Sequence, residues 1–346
     1  MAIKSLAVKY RPTTFDDVTE QSSVKIILQE QIHTGTIKNG YLFCGSAGTG
    51  KTTCARIFAS EINKGQGTPI EMDAASNNSV EDIRNVIQQA QTKSLDSEYK
   101  IFIIDEAHAL SNSAWQAMLK TLEEPPLKSI FIFCTTDPNR IPKTILSRVQ
   151  RYDFQRISQQ GIVSRLKYII EHENEGLYIC SDDAIEYIAK IAEGGMRDAI
   201  TLMDKCLSYS PELTVDNVVK ALGVADYDVM FSLFDSIIEH RSEEVLGQID
   251  SIYKSGIDMK QFIKTFTEFT LDICKYGLTQ SFDIVKIPNT YEDVLKQYGD
   301  YEFFVSRELL KDLLSLNTEI KWETNPKSMI EARLFIFSFE EVSDDN

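Results

Sequence analysis

Residues Gly45-Ser46-Ala47-Gly48-Thr49-Gly50-Lys51-Thr52 fit the pattern G-x-x-x-x-G-K-[ST], and their flanks fix how the segment must fold. The four residues before it, Tyr41-Leu42-Phe43-Cys44, read as a short buried strand. A helical pattern of about ten residues starts at Lys51. Glycines between a strand and a helix let the backbone turn tightly, so that successive N–H groups point toward one place. The helix N-terminus adds a field that favours an anion there. Such a strand–turn–helix is a phosphate loop. Lys51 is expected to reach the outer phosphates of a bound nucleotide, Thr52 to hold Mg²⁺, and Thr53 to follow on the first turn. A chance glycine-rich turn is the alternative, and the correct flanks argue against it.

A phosphate loop implies a mostly parallel sheet, and the first 150 residues supply the strands. Lys100–Asp105 and Ser129–Thr135 are further apolar runs. Before the first of these, Val80, Ile83, Val86 and Ile87 share one face of a helix spanning 80–93, and between the two a second helix covers 112–122 before Pro125-Pro126 stops it. After Phe154 strand signals cease. Helical patterns follow at 158–173, 182–192 and 197–207, then a break at 208–211, then helices to the end. The expected fold is therefore α/β plus all-α: a parallel-sheet domain over 1–157, a small helical domain over 158–210 and a second helical domain over 211–346. A chain of 346 residues, 43% apolar and 25% charged, can build such cores.

The second strand ends in Asp105-Glu106-Ala107-His108. Acids at the end of a buried strand near a phosphate loop belong on the metal and the attacking water. Asp105 is expected to ligate Mg²⁺ and Glu106 to polarise water; His108 serves packing or function equally well. The third strand leads into Thr135-Thr136-Asp137-Pro138-Asn139, with no guanine-recognition N-K-x-D, so ATP is preferred over GTP.

Charge limits the partners. The chain carries −16 overall, yet residues 1–160 hold 18 Lys+Arg and 17 Asp+Glu, which leaves 18 and 35 for residues 161–346. A neutral half can still offer a local basic surface to phosphates, while the acidic half should avoid nucleic acid. The six cysteines form no C-x-x-C pair and read as reduced packing residues. No secretion signal and no apolar run of membrane-spanning length is seen, so a cytoplasmic protein with no membrane partner is expected.

The ordered set of motifs resembles the AAA+ clamp-loader ATPases, most closely the gamma/tau subunits of bacterial DNA polymerase III. The resemblance rests on Tyr10-Arg11-Pro12-Thr13-Thr14-Phe15-Asp16-Asp17-Val18, the phosphate loop, Asp105–His108, Leu119–Pro126, Thr135–Pro138, Ile145–Arg148 and Gly194-Gly195-Met196-Arg197. It spans nearly the whole chain. It implies an AAA+ P-loop domain, a lid and a C-terminal oligomerisation collar. It also implies ATP-driven opening and loading of a sliding clamp onto primer–template DNA at the replication fork, by a hetero- or homo-oligomer expected to be pentameric. By position, Tyr10, Arg11 and Val18 should lie by the adenine. Thr136 matches the sensor of the γ-phosphate or attacking water. Arg148 matches the arginine finger offered to a neighbouring subunit, and Arg197 the lid sensor. Two helix starts, Ser76-Asn77-Asn78-Ser79 and Ser111-Asn112-Ser113, match the DNA-lining region, where free N–H groups would meet the DNA backbone. Plain helix capping is the competing reading.

Trp115, Met118 and Leu119 are candidates for a clamp-facing stripe or for core. Phe262, Phe266, Phe269, Leu309 and Leu313 are candidates for the collar surface or for core. The family's S-R-C triplet is here Ser147-Arg148-Val149, which keeps the charge. Residues 61–75 contain no cysteine, so the family's zinc insertion is missing and no zinc is expected. The chain ends at Asn346 without the tau extension, so that form's bridging to polymerase and helicase is not carried over. Two alternatives are weighed: a non-catalytic structural clamp-loader subunit, and another AAA+ DNA remodeller such as a helicase loader.

Overall fold

The computed structural model of the protein describes residues 5–173, 177–223, 226–282, 284–298 and 303–339. The chain forms two compact units, residues 1–171 with 192–201, and residues 172–191 with 202–346.

The first unit is built on a parallel five-stranded sheet. Its elements run α1 (Leu6–Lys9), α2 (Ser22–Thr34), β1 (Gly40–Cys44), α3 (Lys51–Ile62), β2 (Ile70–Asp73), α4 (Val80–Ala90), β3 (Lys100–Asp105), α5 (Asn112–Glu123), β4 (Ser129–Thr135), α6 (Lys143–Leu146), β5 (Gln150–Asp153) and the start of α7 (Gln159–Glu173). The strand order is β2-β3-β4-β1-β5. β1 is an interior strand, paired with β4 (Leu42 opposite Phe133) and with β5 (Leu42 opposite Arg151). Every residue of β1 and β4 is buried, as a parallel sheet covered on both faces requires.

Alternation along each strand divides the core in two. Tyr41, Phe43, Ile103 and Ile132 face one side, with Leu28, Cys54 and Phe58 of α2 and α3. Leu42, Phe102, Phe131 and Phe133 face the other, with Ile83, Trp115 and Met118 of α4 and α5. On that side Phe102 stacks on Phe131 at 5.3 Å and Trp115 tilts against Phe133 at 5.2 Å.

Local chemistry ends the helices. Ser79 and Asp82 form a capping box at the start of α4. That helix stops at Ala90 rather than continuing to Lys93, because Lys100 Nζ takes the Gln89 carbonyl at 2.8 Å and Thr92 Oγ1 at 2.9 Å. α5 ends at Glu123, where Glu124 leaves helical geometry ahead of Pro125.

The second unit is helical apart from the short paired strands β6 (Ile179–Cys180) and β7 (Glu212–Leu213). It holds α8 (Asp182–Ile191), the later part of α9 (Met196–Tyr209), α10 (Val215–Leu222), α11 (Tyr227–Ile238), α12 (Ser242–Lys254), α13 (Met259–Thr279), α14 (Glu292–Leu295), α15 (Phe303–Glu319) and α16 (Pro326–Phe339). α9 runs two residues into the break expected at 208–211 and ends at Tyr209, so the break falls at Ser210 and Pro211. The core here is aromatic: Phe231 meets Phe269 edge-on at 4.8 Å, and Phe266 stacks on both Phe262 and Phe269 at 5.8 Å. The buried Asp272 accepts from Lys275 Nζ at 2.8 Å and from the Ile287 N–H at 3.2 Å, pinning the loop after α13. Among the described residues, no helix is long and apolar enough to cross a membrane.

Two sequence readings resolve toward core. Trp115 is 2% exposed and Met118 fully buried, so these two belong to the interior and are not a clamp-facing stripe. Phe262, Phe266, Phe269, Leu309 and Leu313 are likewise buried within their own unit, so a collar surface must use other side chains.

Candidate functional site

The loop from Gly45 to Lys51 joins the interior strand β1 to α3 at the C-terminal edge of the sheet, where open α/β sheets place their ligands. Two glycines are there for lack of a side chain. A Cβ on Gly45 would lie 2.4 Å from the Phe154 carbonyl oxygen. On Gly48, held at φ +70°, it would lie 2.9 Å from Gly195 Cα. The loop is therefore clasped between the chain after β5 and the Gly194-Gly195 turn. The Met196 N–H closes that clasp on the Gly48 carbonyl at 3.0 Å.

Lys51 is nearly buried, and its Nζ donates to the Gly45 and Ser46 carbonyls at 2.8 Å each. Burial pulls its pKa below the ordinary lysine value, opposed by neighbouring groups that include Glu106 and Asp105. Thr52 Oγ1 donates to Asp105 Oδ2 at 2.8 Å, and Asp105 Oδ1 accepts the Glu106 N–H at 3.0 Å. Glu106 sits in left-handed backbone, φ 47° and ψ 41°. That conformation is costly for a residue with a Cβ and turns the chain sharply off the strand. Glu106 Oε2 accepts from Thr136 Oγ1 at 3.2 Å. His108 Nδ1 lies 3.4 Å from that same oxygen and 3.2 Å from Thr135 Oγ1.

A pocket of about 460 Å³ opens over this loop. Ala47, Gly48, Thr49, Gly50, Lys51, Thr52 and Thr53 form its floor, with Asp105 and Glu106 beside them. Tyr10, Arg11 and Val18 line its far end, and Arg197 comes from the start of α9. Gly45 and Ser46 lie beneath, as the carbonyls that hold Lys51. Five cationic side chains (Arg11, Lys51, Arg56, Arg165 and Arg197) border the pocket against three carboxylates (Asp105, Glu106 and Asp198). Arg56 is engaged twice by Glu71, at 2.7 and 2.5 Å. The balance, with backbone N–H groups and the N-terminus of α3 at the floor, suits a polyphosphate. The Thr52 hydroxyl and Asp105 carboxylate are hard oxygen ligands of the kind Mg²⁺ takes, so the residues fit the ion.

Arg148 lies elsewhere. It follows α6 and is held by Glu123 at the end of α5, with Nε and Nη2 donating to Glu123 Oε1 at 3.0 and 2.5 Å. The two polar helix starts do meet: the Ser111 N–H donates to the Asn78 carbonyl at 3.2 Å, and Ser111 Oγ bonds Ser113 Oγ at 3.1 Å across Asn112, the first residue of α5. Their N–H groups are less open than the sequence suggested. Those of Ser76 and Asn77 go to the Asp73 carbonyl, and that of Ser79 goes to Asp82 Oδ2 at 3.1 Å. The Asp82 carboxylate that completes the capping box also opposes a phosphate at this spot.

Sequence reasoning missed several contributors. Gln21 Nε2 donates to the Gln155 carbonyl at 2.7 Å and, at 3.4 Å, to the Thr49 carbonyl, while its Oε1 accepts the Gln155 N–H at 3.1 Å. It thereby ties the phosphate loop to the segment after β5. Glu20 accepts from the Ser158 N–H and hydroxyl, and Arg165 Nη2 donates to the Tyr10 carbonyl at 2.9 Å. No local pattern marks these residues, since Gln21 and Gln155 are 134 positions apart.

Comparison with known proteins agrees along the chain. Residues 68–158 match the family model described as DNA polymerase III, delta subunit. Residues 161–212 match the DNA polymerase III clamp loader subunit ATPase lid domain, and residues 213–300 match domain III of DNA polymerase III subunits gamma and tau. The DNA polymerase III subunit tau of Bacillus subtilis is 33% identical over 96% of this chain, and that of Escherichia coli 34% over 76%. The chain spans 62% and 44% of the length of those two proteins. The DNA polymerase III subunit gamma of Buchnera aphidicola is 31% identical over 82% of this chain and 83% of its own length. Among solved structures, the Thermotoga maritima RuvB Holliday junction branch migration motor superposes with a TM-score of 0.51 at 20% identity, over 72% of this chain and 86% of that one. That likeness speaks to the fold. With these identities over most of its length, and with the lid and domain III models matching in chain order, the chain belongs to the gamma/tau family of DNA polymerase III clamp-loader subunits.

Proposed function

We propose that this chain is an ATP-hydrolysing motor subunit of a sliding-clamp loader. One observation carries the reading: Lys51, Thr52, Asp105, Glu106 and Arg197 converge on a single pocket, with Thr52 and Asp105 2.8 Å apart. A chain that kept nucleotide only as a structural staple would not need Glu106 beside the outer phosphates.

In this reading Tyr10, Arg11 and Val18 hold the base, and the loop N–H groups with Lys51 hold the phosphates. Thr52 and Asp105 hold Mg²⁺, which when bound neutralises charge on the phosphates. Glu106 accepts a proton from the attacking water, and Thr136, already bonded to Glu106, orients the pair. Arg197, on the lid segment clasped to Gly48, reads the bound nucleotide from its own subunit. Arg148 is offered to the nucleotide of a neighbour, so turnover depends on a correctly seated partner. The three functional domains are 1–157, 158–210 and 211–346. The partners are companion clamp-loader subunits in a pentamer, a ring-shaped clamp, and the backbone of primer–template DNA met through the polar side chains of residues 76–79 and 111–113 rather than through their bonded N–H groups, all in the cytoplasm. Contact with phosphates alone is insensitive to sequence and weakened by salt.

The test is Arg148→Ala in the purified assembly. Clamp- and DNA-stimulated hydrolysis should fall by on the order of 10³-fold while ATP affinity stays within about twofold, because an arginine supplied in trans acts on the transferring phosphoryl and not on ground-state binding. Unchanged stimulated turnover would remove the trans-acting role.

A further inference from the structure

We propose that Glu123 is a positioning residue that restrains Arg148 on its own subunit until a neighbour's nucleotide displaces it. The inference rests on the reading of Arg148 given above and adds to it a control on when the arginine is free to act.

A guanidinium carries five N–H bonds and no acceptor. In Arg148 the Nε hydrogen and one Nη2 hydrogen go to Glu123 Oε1, at 3.0 and 2.5 Å. Nη1 donates to the Thr144 carbonyl at 2.6 Å and to Ser147 Oγ at 3.0 Å. Four of the five are engaged, so the two-pronged approach that suits a phosphoryl group is closed while these bonds stand. The Thr144 and Ser147 partners are neutral and local to the turn that carries Arg148. Glu123 is the charged partner, brought from another element 25 residues earlier. Its backbone is set by the end of α5 and the Pro125-Pro126 stop that follows, so its carboxylate does not travel with Arg148.

The restraint is built to yield. Both Glu123 bonds fall on one oxygen, which lacks the fork-to-fork match of a two-oxygen pair. The two side chains are 32% and 49% exposed, so solvent and salt weaken their attraction. A triphosphate presents several anionic oxygens and more charge, and it outcompetes a single carboxylate oxygen once a neighbour brings it within reach. Glu123 thus lowers turnover in loosely seated assemblies and leaves the seated ones nearly untouched.

The experiment compares Glu123→Gln, Arg148→Ala and the double variant in the purified assembly, measuring ATP hydrolysis with and without clamp and primed DNA. Glutamine keeps the shape and removes the charge. The expected result is a rise of roughly two- to fivefold in unstimulated turnover, the range open to an exposed ion pair, with the stimulated rate changed less than about twofold. The gain should shrink at high salt and vanish in the double variant. Urea unfolding should be unmoved, since a merely structural Glu123 would shift that midpoint and slow both rates. If Glu123→Gln lowers unstimulated turnover or leaves it unchanged while Arg148→Ala still abolishes stimulation, the restraint is overturned and the trans-acting arginine survives. If Arg148→Ala is itself silent, both fall together.

Discussion

Gln21→Leu removes the amide that ties the phosphate loop to the chain beyond β5 and leaves a side chain of similar bulk. Gln21 is 8% exposed and sits at φ 52°. Leucine also carries a Cβ, so the left-handed backbone cost is common to both residues and cancels, leaving the hydrogen bonds. Two of these are well formed, at 2.7 and 3.1 Å, and the third, at 3.4 Å, contributes little. Each good bond is worth about 0.5–1.5 kcal/mol net, and a buried partner left bare costs about 1–3 kcal/mol more. Gln155 is an exposed residue, so water can reach its freed groups and the lower part of that range applies. The expected loss is about 2 kcal/mol from the first unit.

Two tryptophans make the measurement selective. Trp115 is 2% exposed in the sheet core, whereas Trp322 is 89% exposed in the helical unit. In a Trp322→Phe background, urea unfolding followed by Trp115 emission reports on the sheet unit, and the midpoint should fall with the slope unchanged. Affinity for a fluorescent ATP analogue should weaken by roughly three- to tenfold as the loop loosens, since each 1.4 kcal/mol is tenfold. A stability change under about 0.5 kcal/mol together with unaltered affinity would refute the idea that this amide braces the loop.

Other outcomes follow from the same geometry. Gly48→Ala should abolish ATP binding, because the new Cβ meets Gly195 Cα at 2.9 Å on a backbone held at φ +70°. Gly35→Ala, at φ +68° with nothing within 4 Å, should cost about 1 kcal/mol and leave binding intact, so equilibrium dialysis on the two variants separates clash from backbone strain. Burial pushes Cys44 and Cys206 up to about 11, Cys54 to about 12 and Cys274 to about 11, from an ordinary 9.0. The native state therefore keeps protons that the unfolded chain surrenders. Stability should hold below pH 9 and decline as pH rises through 11–12. Lys51, shifted down, acts in the opposite sense but is one group against four. A urea midpoint that climbs between pH 8 and 10 would contradict the assignment.

Residues whose local pattern carries their role were legible in the sequence. The phosphate loop, the Asp105–Glu106 pair and the buried strands β1, β3 and β4 are continuous signals, and a pocket assembled around them follows from topology. β2 escaped notice because it is four residues long and lies at the sheet edge, where only Ile70 and Met72 are even half-buried. Gln21 escaped because glutamine at positive φ gives no sequence signal and its partner is remote. The stripe through Trp115 and Met118 read more readily as core than as a partner face, but helical spacing alone cannot say what covers a face. The polar helix starts told only half their story: Ser79 was visible as a cap, but the carboxylate of Asp82 in the same box decides how welcome an anion is there.

The position of β1 inside the sheet, between β4 and β5, has a consequence for synthesis on the ribosome. Its two neighbours, β4 and β5, are both made later, and the Phe154 carbonyl that closes over Gly45 comes later still. A growing polypeptide holding residues 45–52 has the nucleotide-binding letters but no wall to set them against. Competence to bind ATP therefore arrives late, after the Gly194–Arg197 segment that closes on Gly48 has cleared the exit tunnel, and a nascent chain stalled short of that point has only part of the wall with which to sequester nucleotide.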